Sequence, residues 1–166
     1  MTRIGRGNGV LAALVLLSLL SACGFKLRGT VEIPPELNPM YLQGGAGALN
    51  RAILQRLEYS EVRLAPRPQD ARITVRILNE SRSSRVIAVD RDGKVLASEL
   101  HYRVNFDAVG QDGKELVPAQ NLDLVRTYEN PDVEVLGKQL EADLIYEDLA
   151  QDAADRILDR LRAALL

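Results

Sequence analysis

Tryptophan is absent from this sequence of 166 residues, which has one cysteine, one histidine and seven aromatic residues, five Tyr and two Phe. A single cysteine excludes an intramolecular disulfide and a cysteine-based zinc site. A single histidine argues against a His-rich metal site. The scarcity of aromatics argues against a stacking platform for single-stranded nucleic acid. Because 21 basic residues face 23 acidic ones, the basic excess of a dedicated nucleic-acid binder is also missing.

The composition that remains is that of an ordinary globular chain. Apolar residues make up 46% and charged residues 27% of the sequence, values that are not typical of a disordered or fibrous protein. The length favours one domain over two.

The first 22 residues differ from the rest. Arg3 and Arg6 give a basic start, and residues 10–20 read VLAALVLLSLL, apolar except for one serine. As a helix this run would rise about 16 Å, too little for a hydrocarbon core of about 30 Å. A basic start, a short apolar run and small residues before a cleavage point are typical of a secretory signal. We predict a signal peptide over residues 1–22.

The signal ends in Leu-Ser-Ala-Cys at residues 20–23. This resembles the bacterial lipobox, whose cysteine receives diacylglycerol and becomes the new N-terminus. We therefore predict lipidation of Cys23 by S-diacylglycerol and an N-acyl chain, where each buried CH₂ contributes about 0.8 kcal/mol to anchoring. Gly24, rather than Asp, follows, and by the lipoprotein sorting rule this favours the outer membrane. A buried free cysteine is the alternative interpretation.

After the signal, residues 23–39 are predicted to form a tether, because Pro34, Pro35 and Pro39 favour extended chain. Residues 40–166 are predicted to form one domain. Alternation of apolar and polar residues is clearest over residues 99–108, and Pro118 predicts an edge or bulged strand. The predicted elements are strands over 40–42, 61–65, 71–77 with 86–89 continuing extended, 99–108 and 114–128, hairpin turns at 90–93 and 111–113, and helices over 48–58 and 135–165.

Each predicted helix has one apolar stripe, and the strands have one apolar face. In the last helix the stripe repeats at helical spacing from Leu149 to Leu165. The simplest way to bury these surfaces is an α+β two-layer sandwich, with two helices on one face of a roughly four-stranded antiparallel or mixed sheet.

Four residue patterns suggest chemistry, and each also has a plainer interpretation. His101, with Glu99 and Arg103 two positions away, has the pattern of an oriented general base, but no nucleophile is marked and a solvent-facing strand position is favoured. The glycine-rich segment 44–47 lacks the Gly-Lys-Ser/Thr ending of a phosphate loop. The turn acids do not follow calcium-loop spacing, so we predict neither a catalytic nor a metal site.

The fourth pattern is basic. Six arginines and lysines lie between residues 72 and 94, and guanidinium groups bind phosphate bidentately. A solvated charge pattern that protects a sheet edge is the favoured alternative. The six residues are Arg72, Arg76, Arg82, Arg85, Arg91 and Lys94.

Residues 23–29 read Cys-Gly-Phe-Lys-Leu-Arg-Gly, which resembles the opening of the lipopolysaccharide (LPS)-assembly lipoprotein family, LptE or RlpB. Three further segments agree in order and spacing: Leu49–Ala52 at the start of the first helix, Arg91–Gly93 at a hairpin tip, and Asn130–Pro131 before a long C-terminal helix. Together they extend the resemblance over nearly the whole chain after residue 22.

The resemblance implies two helices packed on a four-stranded sheet, in a lipoprotein anchored on the periplasmic side of the outer membrane. It implies a partner, the β-barrel LptD, whose lumen the lipoprotein plugs, and contact with LPS through Arg91 and Lys138. No cofactor and no enzymatic activity are implied. Asp90 departs from the family, where an apolar residue can precede the basic one.

Two alternatives remain at this stage. The chain is an accessory lipoprotein of another outer-membrane assembly machine, or it is a lipid-anchored hydrolase. The hydrolase hypothesis requires an activated nucleophile beside a base, which the sequence does not mark.

Overall fold

A computed structural model describes residues 34–45, 47–129 and 135–166. The predicted signal peptide, Cys23 and most of the predicted tether therefore lie outside the described residues. Two helices and four strands follow one another in the order β1 (Met40–Gly44), α1 (Gly47–Glu58), β2 (Ile73–Val89), β3 (Val95–Gly110), β4 (Glu115–Glu129) and α2 (Val135–Leu165). None of the helices in these ranges combines the length and the hydropathy needed to cross a bilayer.

The four strands form a single mixed sheet in the order β1-β2-β3-β4. β1 runs parallel to β2, which requires a crossover connection, and α1 lies in that connection. β2, β3 and β4 follow as an antiparallel meander joined by tight turns. The observed α+β architecture confirms the fold class predicted from the sequence.

The two neighbours of β2 differ greatly in length. β2 has 17 residues and pairs with β3 from Ile73 to Val89. β1 has five residues, and its pairing with β2 covers only Ile73–Ile77. We call the end of the sheet where β1 lies the proximal end, and the end formed by the β2–β3 turn the distal end.

One continuous core lies between one face of the sheet and the two helices. The apolar stripe predicted for α2 is buried, with its members from Leu149 to Leu161 at most 4% exposed. α1 contributes a matching stripe. The buried side chains of the helices are Leu49, Ala52, Ile53, Leu57, Tyr146, Leu149, Ala150, Ala153, Ala154, Ile157, Leu158 and Leu161.

Glycine is required at the end of β1, because the backbone of β2 comes very close there. Gly44 has φ of +78°, and a Cβ there would lie 2.5 Å from the Ile77 carbonyl oxygen, so no larger side chain fits without movement of the backbone. The Asn50 side chain donates hydrogen bonds to the carbonyls of Gly44 and Gly45. This segment therefore presents carbonyls tied to α1, rather than the row of N–H groups that a phosphate loop offers.

One predicted strand is wrong. Residues 61–65 form only an isolated bridge, between Met40 and Leu64, on the edge of β1 that faces away from β2. Pro66 follows directly and lacks the N–H that would continue the pairing. Pro118 does lie in an edge strand, at an irregularity where Phe106 faces Gln120 and Ala108 faces Val117. The missing proline N–H is thereby accommodated at a bulge.

The buried stripe of α2 yields a stability prediction. Leu158→Asp should lower the free energy of unfolding by at least about 3 kcal/mol, because it places an unpaired carboxylate in the core. Leu140→Asp is the matched control, since Leu140 lies on the same helix but is 61% exposed; it should change stability by no more than about 0.5 kcal/mol. Urea unfolding of both variants measures the difference, and equal midpoints would contradict the burial of this stripe.

Candidate functional site at the distal end of the sheet

The turn between β2 and β3 forms the hairpin tip, Asp90–Lys94. The Asp90 N–H donates to the Lys94 carbonyl at 2.9 Å, and the Gly93 N–H donates to the Asp90 carbonyl at 3.2 Å. Gly93 has the positive φ that this turn needs. The Asp90 carboxylate accepts the N–H groups of Asp92 and Lys94, at 2.9 and 2.8 Å. The acidic residue before Arg91 is therefore part of the turn itself.

The six basic residues singled out in the sequence have different surroundings. Within the described part of the chain, Arg91 is exposed and makes no ion pair. Four of the others contact neighbouring side chains. Their contacts are Arg72 to Gln111, Arg76 to Asp107, Arg82 to the rings of Tyr102 and Tyr146, and Arg85 to Glu99.

Lys138 is the fourth residue of α2, and its side chain lies outside the described residues. The helix starts at the same end of the sheet as the hairpin tip, because the Tyr128 hydroxyl donates to Glu141 at 3.3 Å and Glu129 pairs with Ala97. Burial, together with the Glu141 carboxylate, raises the pKa of Tyr128. Between Ala97 and the tip there are only about five residues, or about 17 Å of strand.

An open groove of about 700 Å³ lies at this end, between the first turns of α2 and the ends of β3 and β4. Its walls combine apolar side chains with two carboxylates. The lining residues are Leu96, Ala97, Thr127, Tyr128, Glu129, Glu141 and Ile145.

Large apolar side chains are exposed around the groove, more than a solvated surface requires. On the hairpin they are Val86, Ile87, Val89 and Leu96, and on α2 they are Leu140 and Leu144, between 44% and 64% exposed. The distal end therefore combines a cationic tip with an apolar surround, an arrangement suited to an amphiphile with anionic groups.

A cluster of polar aromatic contacts holds the distal half of β2 above α2. The Tyr102 hydroxyl donates to Glu80 at 2.5 Å, and the Tyr146 hydroxyl donates to the Ser83 carbonyl at 2.9 Å. The Arg82 guanidinium lies 5.8 and 5.2 Å from the two ring centroids, within cation–π range. Burial raises the pKa of Tyr102. These contacts fix the strand where α1 no longer lies beneath it.

The opposite face of the sheet carries an ion-pair network around His101. Its imidazole lies 3.4 Å from Glu99 and 3.3 Å from Asp123. Arg85 and Arg103 bind the same two carboxylates, at 2.6 and 3.0 Å. The side chain of His101 is only 15% exposed, so the prediction of a solvent-facing position was too simple: the ring is enclosed by charged neighbours from both adjoining strands.

These contacts keep the two carboxylates charged. The hydrogen bond from Arg85 holds the pKa of Glu99 below its usual value, against an opposing effect of burial. Burial alone would raise the pKa of Asp123, but hydrogen bonds from Arg103 and His101 outweigh it and hold that pKa below its usual value. The charged carboxylates and the two arginines join β2, β3 and β4 across this face of the sheet.

The sequence identified the hairpin tip but missed the groove, because Leu96, Tyr128 and Ile145 come from three elements that only the fold brings together. One signal was available. Leu140 and Leu144 are four residues apart, yet they lie off the helix face that carries the stripe from Leu149 onward, and both are exposed. Apolar residues on the polar side of a predicted helix indicate a contact surface.

The family described as LptE, lipopolysaccharide-assembly, matches residues 30–161 of the chain. The LPS-assembly lipoprotein LptE of Yersinia enterocolitica is 28% identical over 144 residues, covering 85% of this chain and 69% of the relative. Its counterpart in Yersinia pestis (strain Pestoides F) is 28% identical over 157 residues, covering 92% of this chain and 75% of the relative.

Solved lipoprotein structures share the fold. Lipoprotein B of Nitrosomonas europaea superimposes with a TM-score of 0.66 at 25% identity, covering 81% of this chain and 88% of that one. The rare lipoprotein B of Shewanella oneidensis gives 0.64 at 25% identity, covering 76% and 95%. The relatives share a lipoprotein name as well as an architecture.

Proposed function

The chain belongs to the LptE family of LPS-assembly lipoproteins, and on that premise we propose that it assists and plugs the β-barrel LPS translocon LptD in the outer membrane. It contacts LPS as the lipid passes to the outer leaflet, and it does so without catalysing a reaction. The observation that carries this proposal is the family match over residues 30–161, together with the exposed Arg91 at the end of a long hairpin.

Anchoring at Cys23 fits the dimensions of the chain. Ten residues lie between Cys23 and Pro34, where the described fold begins, and the eleven Cα–Cα steps span at most about 40 Å. Pro34 lies just before β1, at the proximal end. The 17 residues of β2 extend about 55 Å from there, more than a hydrocarbon core of about 30 Å. With the anchor on the periplasmic side, the β2–β3 hairpin is therefore long enough for its tip to reach through a membrane-spanning lumen.

The charged face of the sheet supports a barrel as partner. The network of Arg85, Glu99, His101, Arg103 and Asp123 is polar but satisfied internally. Barrel lumens are polar and water-filled, so this face would lose little on entering one. Affinity purification of the full-length chain from outer membranes tests the partner: LptD should be recovered, whereas another barrel would favour an accessory role in a different assembly machine.

Contact with LPS is supported by the chemistry of the distal end. Arg91 and Lys138 are cations suited to phosphates. The exposed side chains of Leu96, Leu140 and Leu144 near the groove provide a surface for acyl chains. A ligand that carries both phosphates and acyl chains should bind the distal end more tightly than a ligand that is purely anionic or purely apolar.

Lipidation yields a direct prediction. Cys23→Ser should remove the acyl-bearing thiol, and the protein should accumulate as an uncleaved or soluble species without an N-terminal lipid. Mass spectrometry of the purified N-terminus and membrane fractionation measure this. Recovery of normally acylated Cys23→Ser protein in the outer membrane would contradict the proposed anchor.

The LPS proposal predicts a loss of affinity. Replacing Arg91 and Lys138 by Glu should weaken LPS binding at least tenfold, since a charge-assisted contact contributes about 1.5–3 kcal/mol. Binding by the parent should also weaken as salt rises, because exposed charges are screened beyond about 8 Å at physiological ionic strength. Titration of the protein with LPS, with circular dichroism as a folding check, measures both effects.

The matched control carries the same charge change elsewhere. Arg63 and Arg156 are exposed, and replacing both by Glu alters the net charge identically. This control should retain most of the LPS affinity. Equal losses in the two double variants would show that net charge, rather than the distal site, governs binding.

A further inference from the structure

The outer edge of β2 beyond β1, residues 81–89, has no neighbouring strand among the described residues, as is also true of the outer edge of β4. β1 makes its last pair with β2 at Gly44 and Ile77. On the other side, β2 keeps a regular ladder with β3 from Asn79 to Val86, between two irregularities. The distal half of β2 is therefore well-formed strand with pairing on one side only.

Natural proteins protect such edges with charges, prolines or bulges. Here the two arginines of the edge point elsewhere. Arg82 stacks on tyrosine rings on the helix side, and Arg85 binds Glu99 on the opposite face. Val86, Ile87 and Val89 are 52%, 44% and 55% exposed at the same edge. Within this edge the irregular pairing is confined to residues 86–89, so the backbone of residues 81–86 remains a regular edge. Exposed apolar side chains next to a regular edge favour the addition of another strand.

The edge is also held in place. The Tyr146 hydroxyl donates to the Ser83 carbonyl, which ties the strand to α2. A strand that is already ordered loses little conformational entropy when a second strand pairs with it. The edge is preorganised for strand addition.

The sequence of the edge argues against a second copy of this chain as the occupant. Residues 81–85 read Ser-Arg-Ser-Ser-Arg and residues 86–89 read Val-Ile-Ala-Val. In an antiparallel pair of two identical edges, the apolar end of one copy would face the polar end of the other. A parallel pair of identical edges would not close into a two-fold dimer. A segment of a different protein, apolar where it passes residues 86–89, fits better.

We propose that the outer edge of β2 binds an extended segment of the barrel partner by strand addition, an inference that rests on the proposed function. The added strand bonds to the outward N–H and carbonyl groups of residues 81–89. Its apolar side chains cover Val86, Ile87 and Val89. The partner is thus engaged by backbone pairing as well as by enclosure.

Amide hydrogen exchange tests the pairing. The full-length lipoprotein is compared alone and in its detergent-solubilised complex with the barrel. Because N–H groups alternate in direction along a regular strand, alternate amides of residues 81–86, before the irregular pairing begins, should exchange at least tenfold more slowly in the complex. The outer edge of β4, residues 121–127, serves as the internal control and should change much less.

A matched pair of variants tests the apolar contact. Ile87→Lys should reduce recovery of the barrel at least fivefold and abolish the slowed exchange. Val125→Lys, at a β4 position 46% exposed against 44% for Ile87, should do neither. Both variants should have the same melting temperature as the parent, which excludes misfolding as the cause of any loss of barrel recovery.

The failures can be told apart. A purified lipoprotein that brings no barrel with it would overturn the proposed function, and with it the occupant named here. A barrel complex in which residues 81–89 exchange as in the free protein would overturn strand addition alone. If these amides exchange more slowly as the concentration of the lipoprotein is raised, in the absence of the barrel, a second copy is the occupant and the proposal is contradicted.

Discussion

The structure depends on a mismatch in strand length. β2 runs for 17 residues, but its parallel neighbour β1 ends after five. Since β1 and α1 are joined by a short connection, α1 stays at the proximal end with β1. The packed two-helix layer and most of the buried apolar side chains are therefore concentrated there, while β2 and β3 continue past them as a long hairpin.

The distal half is held by a different kind of interaction. Instead of α1, polar aromatic contacts fix β2, with Tyr102 on Glu80 and Tyr146 on the Ser83 carbonyl. Ion pairs around His101 join the strands on the opposite face. These directed contacts order the backbone without covering its surface. The hairpin tip, the groove and the outer edge of β2 thus remain accessible on an ordered scaffold.

Local patterns predicted most of the elements. The alternation over residues 99–108, the Asp-Gly turns and the stripe of α2 each correspond to structure. Residues 61–65 have the composition of a strand, but they add only one bridge to the outer edge of β1 before Pro66. Only part of the network around His101 could be predicted from the sequence, since Asp123 joins it from another strand. The groove depends on the crossing of α2 over β3 and β4, which periodicity within one element does not encode.

We propose that stability and ligand contact are separated along β2, with the core at one end and the contact surfaces at the other. The most direct test is an LPS titration of a chain in which residues 87–97 are replaced by Asn-Gly, a turn that joins the directly opposed Val86 and Ser98. The shortened chain should bind LPS with an affinity at least tenfold below that of the parent, while its melting midpoint stays within about 5 °C of the parent's midpoint. A shortened chain that binds LPS like the parent, or one that no longer folds, would contradict it.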